Sequence, residues 1–232
     1  MDGENDMNGT FYGVGVGPGD PELLTLKAAR LIRGCDVLAI PHRDPEKCFA
    51  YRIACGAVPE AKEKPVLCID MPMTHDHVLR EAAYETGAAA ISEMLSAGKT
   101  VVFLTLGDPS VYSTFAYLAE RVAKEGFDTQ WVPGVPSFCA AAAALKMPLC
   151  IDREALHILP GSANAENTLA YPGTKVFMKG ELVPLLEAIE SCGRSAQAVE
   201  NCGTENERLY RTAGEIPKDA GYYLVTIVKE ET

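Results

Sequence analysis

The chain has 232 residues, 47% of them hydrophobic and 23% charged, which suits one large or two small globular domains. No apolar run approaches the ~18–20 residues of a membrane span, and the acidic start Met1–Gly9 is unlike a signal peptide, so a cytoplasmic protein is expected. A net charge of −11 argues against a general nucleic-acid binder, while leaving room for a small anionic ligand held by a local basic cluster.

Met1–Gly9 reads as a disordered tail. Phe11, Tyr12, Val14 and Val16 then form a β-type run interrupted by Gly13, Gly15 and Gly17. Pro18-Gly19 turns the chain, Asp20 suits a helix N-cap and Pro21 the first helical position. Leu23, Leu24, Ala28, Leu31 and Ile32 recur at helical spacing, and Gly34 is placed to stop that helix. A glycine-rich strand-to-helix loop lets a ligand approach the backbone, although an ordinary tight turn has the same composition. Neither nucleotide motif fits it. The third glycine of a dinucleotide fingerprint would fall on Pro18 or Asp20, and Gly19 is followed by Asp20-Pro21 where a Walker loop needs Lys and Ser or Thr.

A strand over Cys35–Pro41 follows, then a helix around Cys48–Gly56 and a short strand over Val66–Ile69. The long amphipathic stretch Asp76–Ala97 predicts a helix with Val78, Ala82, Ala83, Ala89, Ile91 and Leu95 on its apolar face. Thr100–Leu106 is a continuous apolar strand ending at Gly107-Asp108-Pro109; a helix through Tyr112–Ala123 and a strand over Thr129–Val132 come next. Pro133-Gly134-Val135-Pro136-Ser137 disfavours helix and strand alike. It divides the chain into a domain over residues 10–133, a linker over 134–137 and a second domain over 138–232.

The second half opens with an alanine-rich helix, Phe138–Leu145. Strands are expected near Leu156–Leu159, Thr174–Met178, Gln197–Glu200, Arg208–Thr212 and Tyr222–Val228, with a helix around Leu182–Ser191. The alternation predicts an α/β fold with a mostly parallel first sheet, and the scarcity of late helices predicts a mixed second one. The eight cysteines form no Cys-x-x-Cys pair and mostly sit in apolar runs. Buried free thiols are therefore expected, with no zinc site and no disulfide framework. His75-Asp76-His77 could be a metal-binding pair but reads first as the cap of the long helix.

Three loops fall at strand ends, where α/β folds form ligand crevices: residues 15–20, 106–114 and 133–137. Gly13-Val14-Gly15-Val16-Gly17-Pro18-Gly19-Asp20-Pro21 resembles the opening signature of the tetrapyrrole (precorrin) methylase family. Leu106-Gly107-Asp108-Pro109 and Val132-Pro133-Gly134-Val135 resemble its second and third motifs, in matching order and spacing. Within the family, the tract from Thr105 to Phe115, Met178-Lys179 and Glu200-Asn201-Cys202-Gly203-Thr204-Glu205 look like the branch that methylates C-20 of cobalt-factor II or precorrin-2, in cobalamin (vitamin B12) biosynthesis.

The resemblance implies a two-domain homodimer with S-adenosylmethionine in a cleft between the domains, and S-adenosylhomocysteine as product. Carried over by position, Leu106, Gly107, Asp108, Val111 and Tyr112 would hold the methionine and ribose portions. Ser137, Phe138, Met178, Cys202 and Gly203 would contact the adenosine. Gly15, Pro18, Gly19 and Asp20 would border the tetrapyrrole. His42, Arg43, Lys47 and Arg52 are the local cations that could meet its carboxylates, or else a solvated surface loop. No catalytic acid or base is specified. The alternatives are a methylase of this fold acting on another precorrin carbon or on an RNA or protein, and a non-enzymatic tetrapyrrole-binding protein.

Overall fold

The computed structural model describes residues 9–72, 74, 76–179 and 182–230. The chain divides between Pro136 and Ser137 into two compact units. In the first, the elements are β1 (Thr10–Gly15), α1 (Leu26–Gly34), β2 (Val37–Ile40), α2 (Phe49–Ala57), β3 (Val66–Cys68), α3 (His77–Ser96), β4 (Val101–Thr105), α4 (Phe115–Lys124) and β5 (Asp128–Val132). The strands form one sheet in the order β3-β2-β4-β1-β5, parallel at every pairing.

Period-two alternation sends side chains of each central strand to two different cores. Val14, Leu38, Ile40, Val102 and Leu104 meet Ile32 of α1 and Ile53 and Ala54 of α2 on one face. Phe11, Val37, Val101 and Phe103 meet Ile91 and Leu95 of α3 and Phe115 and Leu118 of α4 on the other. All four apolar side chains from Val101 to Leu104 are fully buried, each contributing ~1.5–3 kcal/mol of transfer free energy. β1 and β4 are neighbours, yet the helices that follow them lie on opposite faces of the sheet. Their C-terminal ends therefore flank a crevice, the usual ligand position in an open parallel sheet.

The second unit contains α5 (Ser137–Leu145), β6 (Leu156–Pro160), α6 (Ala165–Leu169), β7 (Thr174–Met178), α7 (Leu182–Ser191), β8 (Ser195–Glu200), β9 (Arg208–Tyr210) and β10 (Leu224–Lys229). Its sheet runs β6-β7-β10-β8-β9 and is mixed, as expected. β6 and β7 are parallel, and β10 lies antiparallel between β7 and β8. Leu169, Phe177, Leu185, Ile189 and Val228 form a core under α6 and α7, while α5 packs against β8 and β10.

Several expectations need correction. Asp20 does cap a helix, but one of a single 3-10 turn, Pro21–Leu23; α1 begins later, with the Thr25 hydroxyl accepting from the Ala28 N–H. The apolar face assigned to α3 is right at Ile91 and Leu95 and wrong at other positions. Val78 is 74% exposed and Ala82 and Ala89 are also exposed, whereas Gly87, Ala88, Ile91, Ser92 and Leu95 are buried. Only the second half of that helix lies over the sheet. α4 starts at Phe115 rather than Tyr112, because Tyr112 takes φ +48, outside helical space.

β10 starts at Leu224 rather than Tyr222, and α6 was not foreseen. Gly9, placed in the tail by composition, is buried and donates to the Leu95 carbonyl; the remainder of that tail lies outside the described residues. All eight cysteines are free, but only Cys35, Cys48, Cys55 and Cys202 are buried. Asp76 caps α3 through the N–H groups of Val78 and Leu79, and its neighbour His75 lies outside the described residues. Among the described residues, no helix is long and apolar enough to cross a membrane.

Candidate functional site

At the C-terminal edge of the parallel sheet the three glycine loops meet. Gly107, at φ +73, folds the chain after β4 back toward β1. There its N–H donates to the Gly17 carbonyl at 2.8 Å, and the Gly17 N–H donates to the Gly107 carbonyl at 3.3 Å. The third loop is packed into the same place. A Cβ on Gly134 would lie 2.2 Å from the Gly107 carbonyl oxygen and 2.8 Å from the Gly15 carbonyl carbon. A Cβ on Gly15 would lie 2.5 Å from that same oxygen. Three backbones touch where any side chain would separate them.

Asp108 fastens the assembly. Its Oδ1 accepts from the Ser110 N–H at 2.8 Å and from the Ser110 hydroxyl, and its Oδ2 accepts from the Gly134 N–H at 2.9 Å. The carboxylate expected to help hold the methionine and ribose portions is thus also bonded by its own turn and by the third loop. Beyond it, the Ser113 hydroxyl bonds Thr105 Oγ1 at 2.8 Å and accepts from the Phe115 N–H at 3.2 Å, which sets the start of α4. Leu106 and Val111 are half-buried, and Tyr112 is 49% exposed with its phenol pKa raised by burial of the ring.

The residues expected to border a macrocycle fare differently. Gly15, Pro18 and Gly19 are buried, and the Asp20 carboxylate accepts from the Glu22 N–H at 2.9 Å. Asp20 is the one partly exposed member among these four. Of the cations after β2, Arg43 pairs with Asp70 at 3.1 Å and stays 77% exposed. Lys47 lies 3.7 Å from Asp44, Arg52 stands over the Phe49 ring, and the Asp44 N–H donates to His42 Nδ1 at 2.9 Å. All four belong to the segment that leaves β2 at the same edge of the sheet.

In the second unit, β7 and β8 run the same way on either side of β10, so Met178 and Glu200 end at one edge. Both strands are followed by a residue in the left-handed region, Lys179 at φ +56 and Asn201 at φ +52. Met178 and Cys202 are each 7% exposed, and the Gly203 N–H donates to Glu207 at 2.7 Å. Burial, reinforced by Glu207, pushes the Cys202 thiol up to about 12, so it is a neutral apolar surface at physiological pH. Burial likewise lowers the Lys179 ammonium, which stands over the Tyr222 ring at 5.4 Å. Ser137 and Phe138 open α5, both half-buried.

Sequence reasoning gave no role to Ser110, Ser113 and Glu200, which it met only inside motifs, and missed Tyr210 and Tyr222 at these edges. One signal was available: Glu200 is a charged residue directly after the apolar pair Ala198-Val199, at the end of an expected strand.

Three likenesses bear on this arrangement. The chain is 39% identical over 158 residues to a cobalt-precorrin-2 C(20)-methyltransferase of Salmonella typhimurium, a stretch covering 68% of this chain and 65% of that enzyme. It is 31% identical to a precorrin-2 C(20)-methyltransferase of Sinorhizobium sp., across 95% of both chains. Its fold matches the uroporphyrin-III C-methyltransferase of Thermus thermophilus, solved with S-adenosylhomocysteine, at a TM-score of 0.69 and 22% identity over 96% of this chain and 98% of that one. The sequence profile of the tetrapyrrole (corrin/porphyrin) methylases matches residues 10–217, and with the three glycine motifs built into one sheet edge, the chain belongs to that family.

Proposed function

We propose that this chain is an S-adenosylmethionine-dependent C-methyltransferase that methylates C-20 of cobalt-factor II or precorrin-2 in cobalamin biosynthesis. The observation that carries this reading is the likeness to a precorrin-2 C(20)-methyltransferase along 95% of both chains. S-Adenosylmethionine supplies a methyl group already activated on a sulfonium. Transfer forms the C-20–methyl bond, breaks the sulfur–methyl bond, and releases S-adenosylhomocysteine and the C-20 proton.

The residues present suit such a ligand. Met178 and the un-ionised Cys202 offer apolar surface to an adenine, beside the backbone of Gly203. Leu106, Gly107, Val111 and Tyr112 would take the methionine and ribose portions, and Ser137 and Phe138 would add to the adenosine contacts. Asp108 would join them in holding the methionine and ribose portions, while its bonds from Ser110 and Gly134 fix the shape of the loop. Much of the rate enhancement is then alignment of two large reactants, which can supply ~7–11 kcal/mol.

The macrocycle's carboxylates would meet His42, Arg43, Lys47 and Arg52. Surface pairs such as Arg43–Asp70 are worth only ~0–1 kcal/mol, so a substrate carboxylate can displace Asp70 from the guanidinium. We further propose that the enzyme works in the cytoplasm as a homodimer.

Anaerobic incubation with methyl-labelled S-adenosylmethionine, in parallel with cobalt-factor II and metal-free precorrin-2, tests the reading. Label at C-20 of either macrocycle supports it, and the preferred one identifies the metal state of the substrate. Label at another carbon moves the chain to a different reaction of the family. Macrocycle binding without any transfer favours a carrier.

A further inference from the structure

Glu200 ends β8 with only 8% of its surface exposed, and a carboxylate at that depth needs partners for both oxygens. It has them from two separate segments. The Tyr210 hydroxyl on β9 donates to Oε2 at 2.8 Å, and the Gly221 N–H, in the loop feeding β10, donates to Oε1 at 2.7 Å. The fit is close, since a Cβ on Gly221 would lie 3.0 Å from Oε1. The next residue, Asn201, donates its N–H to the Tyr223 carbonyl at 3.0 Å. One carboxylate thus ties β8, β9 and the loop before β10 at the edge where Met178, Cys202 and Gly203 lie.

We propose that Glu200 is a positioning residue for the cofactor: it holds the Cys202–Gly203 turn and the Tyr222–Tyr223 segment in the arrangement that receives the adenosine. The inference rests on the functional reading above. Glu200 need not touch the ligand, because its two hydrogen bonds fix the backbone on either side of it.

Calorimetric titration of the full chain with S-adenosylhomocysteine tests this, with circular dichroism confirming that each variant is folded at the temperature used. Glu200→Ala leaves the Gly221 N–H and the Tyr210 hydroxyl unmatched and should raise the dissociation constant about tenfold, ~1.4 kcal/mol. Tyr210→Phe removes one of the two bonds and should raise it roughly threefold. Glu200→Gln should stay within about twofold of wild type, because its amide oxygen can accept from Gly221 while its NH2 donates to the Tyr210 oxygen.

Should Glu200→Ala not fold, the contrast between Tyr210→Phe and Glu200→Gln decides. A lower melting temperature with an unchanged dissociation constant in Tyr210→Phe and Glu200→Ala would overturn the inference, since that is the signature of a purely structural tie. Failure of the wild-type chain itself to bind S-adenosylhomocysteine would overturn the functional reading as well.

Discussion

Replacing Gly134 by alanine should damage the first unit more than any surface change, and the size of the effect can be worked out. The new methyl group would sit 2.2 Å from the Gly107 carbonyl oxygen and 2.8–2.9 Å from two backbone atoms of Gly15. None of these is the end of a flexible side chain, so a whole loop must move. Overpacking of this kind costs ~1–3 kcal/mol. Displacement also breaks the bond from the Gly134 N–H to Asp108, and a hydrogen bond to a charged group is worth ~1.5–3 kcal/mol. The two add to roughly 2.5–6 kcal/mol, reaching into the tail of the distribution for single substitutions.

The assay is urea unfolding followed by the fluorescence of Trp131, the one tryptophan in the chain, which lies on β5 and packs edge-on against Phe115. Gly34→Ala is the control. A Cβ there meets nothing within 4 Å, and the position is helical, so the change should be neutral or stabilise by ~0.5–1 kcal/mol. Equal midpoints for the two variants would refute the claim that the three loops are in contact.

Other substitutions separate the roles of neighbouring groups. Asp108→Asn presents an N–H to the N–H of Gly134 and should cost ~1–3 kcal/mol in the same unfolding experiment; an unchanged midpoint would mean that the bond contributes nothing. Arg43→Glu should weaken macrocycle binding while leaving S-adenosylhomocysteine affinity as it was, and equal affinity for the macrocycle would remove Arg43 from the substrate site. Glu154 has its carboxyl held below the usual range by the Thr174 hydroxyl and then by Lys229. Its folded pKa thus lies below the unfolded one, so its stabilisation is full above pH 4.5 and drains as pH falls through the folded value. Glu154→Gln should therefore flatten the acid limb of the stability profile below pH 4.5, and a limb of unchanged slope would exclude that contribution.

The sheets were legible because their signals are local. An uninterrupted apolar run such as Val101–Leu104 can satisfy its surroundings only as a strand covered on both faces. The face of α3 was not legible, since its alanines and Val78 carry periodicity without saying how far the sheet extends beneath them. Val78 and Leu79 overshoot that support and stay in solvent.

At the site, sequence spacing located the three glycine motifs and left open what the glycines were for. Pro18 and Gly19 read as a loop open to ligand, whereas packing gives them to the interior. Asp108 read as a ligand for a cofactor, and the fold adds what spacing did not show, bonds to its two oxygens from Ser110 and Gly134, partners 2 and 26 residues away. Glu200 appeared in a motif without a role of its own, because its partner Gly221 is brought near only by the return of β10. The contacts of Gly134 with Asp108 and of Gly221 with Glu200 join distant segments, which composition and periodicity do not encode.

The paired hydrogen bonds between Gly17 and Gly107 have a thermodynamic side. Ordering a residue's backbone costs ~1–2 kcal/mol, and for two loops of several residues that sum would rival a ligand's whole binding free energy. Here the ordering is completed when the sheet folds, because the loops are cross-tied before anything binds. An incoming molecule meets a rigid rim, so its association should be rapid, and its heat of binding should report contacts made and water released, with little from loop freezing.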